Sequence, residues 1–184
     1  MKKAIFLDRD GVINHCPKNP HKCITSVDEI NLHYDAVEMI PKFKDMGFLP
    51  IVVTNQSGIG RGLITIQDIE KIHNYIKMRI LGISRHFYFC PHLDNSNPNR
   101  KPNFGMILQA KRNYNIDLSR SYMIGDSWKD ILCAHRAGVL PIFLKRGQYE
   151  ESKDREEIRD IWRVECDDLF VACQIIQDLE KARG

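Results

Sequence analysis

The chain has 184 residues, 43% of them apolar and 28% charged, with 11 Gly and 8 Pro. That is an ordinary globular composition, and it excludes collagen-like, mucin-like and wholly disordered readings. The 27 Lys and Arg against 24 Asp and Glu leave a net charge of +3, too mild for the basic stripe of a nucleic-acid binder.

Residues 3–7 form an apolar run ended by an acidic turn and read as a buried strand. Asp8, Arg9 and Asp10 cut that run off too early for a signal peptide, so a cytoplasmic chain is expected. Residues 35–46 carry Val37, Ile40 and Phe43 at helical spacing, with Gly47 as a stop. Residues 49–53 read as strand around Pro50. From Thr65, isoleucines at 66, 69, 72, 76 and 80 step by three and four along one face of an amphipathic helix. Residues 86–89 form a short aromatic strand, 103–114 a helix and 122–124 a strand. Residues 128–136 form a helix closed by Gly138, and 139–144 a strand. The charge-dense 150–160 is expected in solvent. Residues 167–182 place Leu169, Cys173, Ile176 and Leu179 in register for a last helix.

No window holds the roughly 18 apolar residues of a membrane span, so no membrane partner is expected. The six cysteines (16, 23, 90, 133, 166 and 173) show no C-x-x-C pair and read as reduced thiols. At this length a chain buries about 70% of its unfolded surface, so one domain over residues 1–184 needs no disulfide or metal staple. Alternating strand and helix predict an α/β fold, with a central parallel sheet and helices on both faces. The long irregular stretches 14–34 and 90–103 are of the kind that carries function.

Ligands of such sheets sit beyond the carboxyl ends of the strands, and four of those ends are chemically loaded. The first holds Asp8 and Asp10, two residues apart and so facing one side of extended backbone. Two close carboxylates either share a cation or leave one protonated; an acidic turn is the plainer alternative. The second, Thr54-Asn55-Gln56-Ser57 followed by three glycines within six residues, suits an anion held by N–H and O–H donors, or is a flexible loop. The third, Arg100-Lys101-Pro102, offers two cations; alone, it would be a commonplace exposed pair. The fourth, Gly125-Asp126-Ser127, adds a carboxylate suited to Mg²⁺, or caps the next helix.

The order D-x-D-G-x-x-N, T-N-Q-S-G-I-G-R-G, R-K-P and G-D-S-x-x-D resembles the haloacid dehalogenase (HAD) superfamily of phosphatases. The wording L-D-R-D-G and T-N-Q-S-G-I-x-R-G is similar to its histidinol-phosphate and heptose-bisphosphate branch, over residues 3 to about 144. The resemblance implies a Rossmann-like three-layer fold without a separate cap domain. It implies that Asp8 is the nucleophile, forming an aspartyl phosphate, and that Asp10 is the general acid and base. Mg²⁺ would be held by Asp8, the backbone carbonyl of Asp10, and Asp126. Thr54 and Lys101 would steady the phosphoryl oxygens and Arg100 would select substrate. Asn55, Gln56, Ser57, Ser127 and the stretch Cys16, Pro17, Lys18 and Asn19 would touch it.

Many members of that branch carry a zinc loop, C-x-H followed by C-x-C, before R-K-P. Here Cys90 and His92 supply half of it and residues 93–99 hold no cysteine. Two ligands do not close a tetrahedral site, so a shortened loop without zinc is expected. The expected substrate is a small sugar phosphate met by a monomer. Polynucleotide 3′-phosphatases share part of the motif wording, but the weak charge and the lack of a basic-aromatic stripe weigh against nucleic acid. An idle phosphate-binding scaffold is the reading from outside enzymology. It leaves the joint presence of Asp8, Asp10, Lys101 and Asp126 without a chemical reason.

Overall fold

The computed structural model describes residues 1–83 and 87–183. Six strands form one sheet: β1 (Lys3–Leu7), β2 (Phe48–Asn55), β3 (Phe87–Cys90), β4 (Tyr122–Gly125), β5 (Leu140–Leu144) and β6 (Val164–Cys166). Their order is β3-β2-β1-β4-β5-β6, and every pairing is parallel. Besides the two single-turn helices α2 (Ser57–Gly60) and α6 (Tyr149–Ser152), five longer helices among the described residues flank the sheet. The central strand shows why it lies inside. Ile5 and Leu7 enter one apolar cluster, with α1 (Tyr34–Asp45), α3 (Ile66–Arg79) and α7 (Leu169–Arg183). Ala4 and Phe6 enter the other, with α4 (Gly105–Tyr114) and α5 (Trp128–Ala137). Alternate side chains leave opposite faces of a strand, so β1 serves both helix layers. Each fully buried aliphatic or Phe side chain there contributes about 1.5–3 kcal/mol.

Pro50 and Pro141 sit inside strands without breaking the sheet. Pro50 pairs with Ile5 of β1, and among the described residues the pairing of β2 with β3 is seen from Val52 onward. Pro141 pairs with Met123, and pairing with β6 begins at Ile142. Pro141 thus precedes its outer neighbour, where a missing N–H costs no rung on that side.

The structure corrects several sequence-based expectations. Ile66 is 48% exposed, because the first turn of α3 overhangs the core. Ile69, Ile72 and Ile76 are fully buried, His73 joins that face, and Ile80 is buried just past the helix end. Of the stretch 86–89, His86 lies outside the described residues; the strand runs from Phe87. The fourth helix starts at Gly105, not 103, because the Asn103 amide is spent on the loop before it. The charged stretch after β5 is not wholly in solvent: Ile158 is completely buried against Ile131 and Phe143. Strand β6 has too few residues for any alternation to be read.

No helix among the described residues is long and apolar enough to cross a membrane. All six cysteines are free thiols.

Candidate active site

Parallel register brings the loaded strand ends to one level. Leu7 pairs with Val52 on one side and Ile124 on the other, so Asp8, Thr54 and Asp126 leave the sheet at the same edge. Above them lies a cavity of about 360 Å³. Asp8, Asp10, Cys16, Pro17, Thr54, Asn55, Ser57, Arg100, Lys101 and Ser127 all line it.

Three expected contacts lie elsewhere. Gln56 sits behind the wall, donating to Asp10 Oδ2 and Thr54 Oγ1, both at 3.0 Å. Lys18 and Asn19 line a neighbouring cavity of about 480 Å³ that shares Cys16 and Pro17 with the first. The Asn19 amide is occupied with both backbone groups of Cys23.

Asp8 is 8% exposed. Its Oδ1 accepts from the Arg9 N–H at 2.7 Å and from Lys101 Nζ at 2.8 Å. Its Oδ2 has no hydrogen bond among the described residues. Lys101 is 2% exposed and also donates to Asp130 Oδ1 at 2.6 Å and Val53 O at 2.9 Å. The Asn55 side chain fixes the Lys101 backbone by exchanging both its hydrogen bonds, each at 3.0 Å. Burial alone would lower the Lys101 pKa, but Asp130 and Asp8 outweigh it and keep the ammonium charged.

Asp126 is fully buried. Its Oδ2 accepts from the Gln148 N–H at 2.8 Å, and the Cys16 thiol lies 3.7 Å away. Its Oδ1 has no partner among the described residues. One oxygen each of Asp8, Asp126 and Asp130 fall within 4.8 Å of one another. Burial, then Asp8 and Asp130, raise the Asp126 pKa well above its ordinary value. Asp130 is pushed up to about 6 by burial, with Lys101 opposing and Asp8 adding. Three carboxylates around one ammonium form a set that a divalent cation completes, and the orphaned Asp126 Oδ1 is the oxygen left for it.

Asp10 faces a different set of donors. Arg9, itself fully buried, grips both its oxygens at 3.1 and 3.0 Å. Asn14 adds a third bond at 2.8 Å and Gln56 a fourth. Sequence patterning gives Arg9 and Asp130 no role in the site, although S-x-x-D from Ser127 to Asp130 is a capping-box signal, and that box is formed.

Arg100 lies on the wall with its guanidinium tied to Asn95 Oδ1 at 3.0 Å and His92 O at 2.8 Å. Cys90 is buried, its thiol 3.9 Å from Asn97 Oδ1. His92 meets Arg100 through its carbonyl, not its ring.

Residues 98–169 match the HAD-hydrolase-like family model. A D-glycero-D-manno-heptose-1,7-bisphosphate 7-phosphatase of Chlorobaculum tepidum is 34% identical over 166 residues, covering 82% of each chain. The Haemophilus ducreyi protein named D-glycero-beta-D-manno-heptose-1,7-bisphosphate 7-phosphatase is 34% identical over 75% of this chain and 80% of its own. This chain belongs to the HAD superfamily. The crystal structure of the D,D-heptose 1,7-bisphosphate phosphatase of B. bronchiseptica, complexed with magnesium and phosphate, superposes with a TM-score of 0.85 at 28% identity. It covers 96% of this chain and 99% of that one. The sheet and its helices are the Rossmann-like HAD fold, and the chain is a phosphatase, a hydrolase of phosphate esters.

Proposed function

We propose that this HAD phosphatase is a magnesium-dependent D-glycero-D-manno-heptose 1,7-bisphosphate 7-phosphatase, acting on the route to a nucleotide-activated heptose. The reading rests above all on Asp8. Asp8 lines the cavity with its Oδ2 unbonded among the described residues, Lys101 balances charge at its Oδ1, and the nearby unpartnered Asp126 Oδ1 would face a cation. Asp8, Asp126 and the Asp10 carbonyl would hold the metal, which supplies positive charge for the phosphoryl oxygens.

Asp8 attacks phosphorus as the C7–oxygen leaving group departs, and Asp10 gives that oxygen its proton. In the second half Asp10 takes a proton from water as the water oxygen attacks phosphorus. The Asp8–phosphorus bond breaks and inorganic phosphate leaves. Lys101 and Thr54 face the transferring group throughout, and positioning with charge balance does most of the work. The four donors on Asp10 hold its carboxyl at the cavity wall through both halves.

A second phosphate on the substrate is supported by the wall itself. Arg100 and Lys129 line the cavity, and neither forms an ion pair with a carboxylate among the described residues. Residues 1–184 are read as one capless domain acting as a monomer, without structural zinc at Cys90 and His92.

A phosphate-release screen tests the function. Heptose 1,7-bisphosphate should exceed fructose 1,6-bisphosphate, histidinol phosphate and a 3′-phosphorylated oligonucleotide in kcat/KM by at least about tenfold, and EDTA should abolish turnover until Mg²⁺ is restored. Preference for histidinol phosphate or the oligonucleotide would displace the heptose assignment. Full activity in chelator would remove the metal.

A further inference from the structure

Residues 146–148, just past β5, belong to none of the four strand-end motifs, yet they grip both halves of the acidic cluster. Arg146 donates through Nε to Gly11 O at 2.9 Å and through Nη2 to Val12 O at 2.8 Å. These are backbone carbonyls of the turn that carries Asp8 and Asp10. Its Nη1 meets both oxygens of Asp35, at 3.1 and 3.0 Å, and Asp35 Oδ2 in turn accepts from the Leu169 N–H at 2.7 Å. The guanidinium is thereby fixed against the starts of α1 and α7.

The next two residues hold Asp126. Gly147 has φ +60°, and a Cβ there would overlap Asp126 Oδ2. Gln148 donates its backbone N–H to that same oxygen. One three-residue segment therefore touches both the turn that carries Asp8 and Asp10 and the Asp126 carboxylate.

We propose that residues 146–148 are a clamp that fixes the separation of that turn from the carboxylate and so sets the affinity of the site for magnesium, with Arg146 as a positioning residue. The inference rests on the reading that Asp8 and Asp126 hold that ion. Mg²⁺ demands near-octahedral geometry at about 2.0–2.1 Å from each oxygen, so a carboxylate displaced by a fraction of an ångström is a poorer ligand. Lysine at 146 brings a point charge in place of a planar fork and cannot serve two carbonyls and Asp35 together.

The test is calorimetric titration of the metal-free protein with Mg²⁺, beside steady-state kinetics. In R146K the Kd for Mg²⁺ should rise at least tenfold, with KM for substrate within twofold at saturating metal. K145A, altering the exposed neighbour that faces Asp167, should change neither by more than twofold. A purely structural role for Arg146 would lower the melting temperature and leave the Mg²⁺ Kd of the folded protein alone; that result overturns the clamp. Should R146K not fold, G147A decides, since it keeps the arginine and places a methyl on Asp126: a raised Kd supports the clamp and an unchanged one overturns it. A wild-type protein that takes up no Mg²⁺ overturns the metal reading itself, and the clamp with it.

Discussion

Lys101 and its two carboxylates carry different loads, and substitution should separate them. Asp8→Asn removes the nucleophile and one negative charge from beside Asp126, while Lys101 keeps Asp130 at 2.6 Å. We expect kcat to fall by about a thousandfold or more, with a metal-free melting temperature equal to or above wild type. Even a tenth of the normal rate would remove Asp8 as nucleophile. Asp130→Asn takes away the nearer partner of a buried ammonium but leaves Asp8. Stability should fall by about 1–3 kcal/mol, short of the 3–5 for a buried pair fully broken, and kcat by about tenfold. Urea unfolding and phosphate release check both; values unchanged from wild type would reduce Asp130 to a helix cap. Asp8 and Asp126 were legible in the sequence because each directly follows an apolar run, where an α/β sheet exposes its strand ends. Asp130 was not, since at the third position of a helix its capping signal also explains a residue with no other task. Arg9 was hidden by its charge: nothing local shows that the next residue's carboxylate will make its complete burial tolerable.

Loops were legible as places, not as shapes. The stretch between β3 and α4 stands out by length and by its half motif of Cys90 and His92, but its order comes from asparagines whose partners sequence spacing does not reveal. Asn103 Nδ2 donates to Asn95 O and Asn97 O, both at 2.9 Å, and Asn97 Oδ1 accepts from the Asn99 N–H at 2.9 Å. This network holds the backbone of Asn95, whose side chain, together with the His92 carbonyl, ties down Arg100. Asn103→Ala frees the loop at a cost of about 1–2 kcal/mol for two net hydrogen bonds. If Arg100 selects substrate, KM for the bisphosphate should rise about three- to tenfold while kcat stays within twofold. A fall in kcat at constant KM would instead tie the loop to Lys101 and the chemistry. Helices read better than loops because a 3.6-residue period needs no partner to be seen. Even so, periodicity placed Ile66 on the buried face, since it cannot tell where the core stops beneath a helix.

Across the whole molecule, one buried chain joins the outer helix layer to the site: His73 on α3, Arg9 beneath the first turn, and Asp10 at the cavity. His73 Nε2 lies 3.4 Å from Arg9 Nη1. A guanidinium cannot accept a hydrogen bond, so that nitrogen must be the acceptor and the ring neutral. Burial, then Arg9 and Lys77, push the His73 pKa down to about 2. In the unfolded chain the same ring takes a proton near pH 6.5. The folded state therefore binds fewer protons than the unfolded one at any pH between those values. The stability contributed is whole above about 6.5 and is lost as pH falls, by up to about 1.4 kcal/mol per unit. His73→Gln keeps an acceptor for Arg9 but loses the ring contacts with Phe87 and Phe89, centroids at 4.6 and 5.6 Å. At pH 8 the variant should be the less stable protein. Between pH 6.5 and 4.5 the gap should narrow and then reverse, because only the wild type loses the His73 contribution there, while every group common to both proteins cancels from the difference. Chemical unfolding of the two proteins side by side across that range measures it; parallel curves would mean that His73 carries its proton in the fold and that the link from α3 to Asp10 is not built as described.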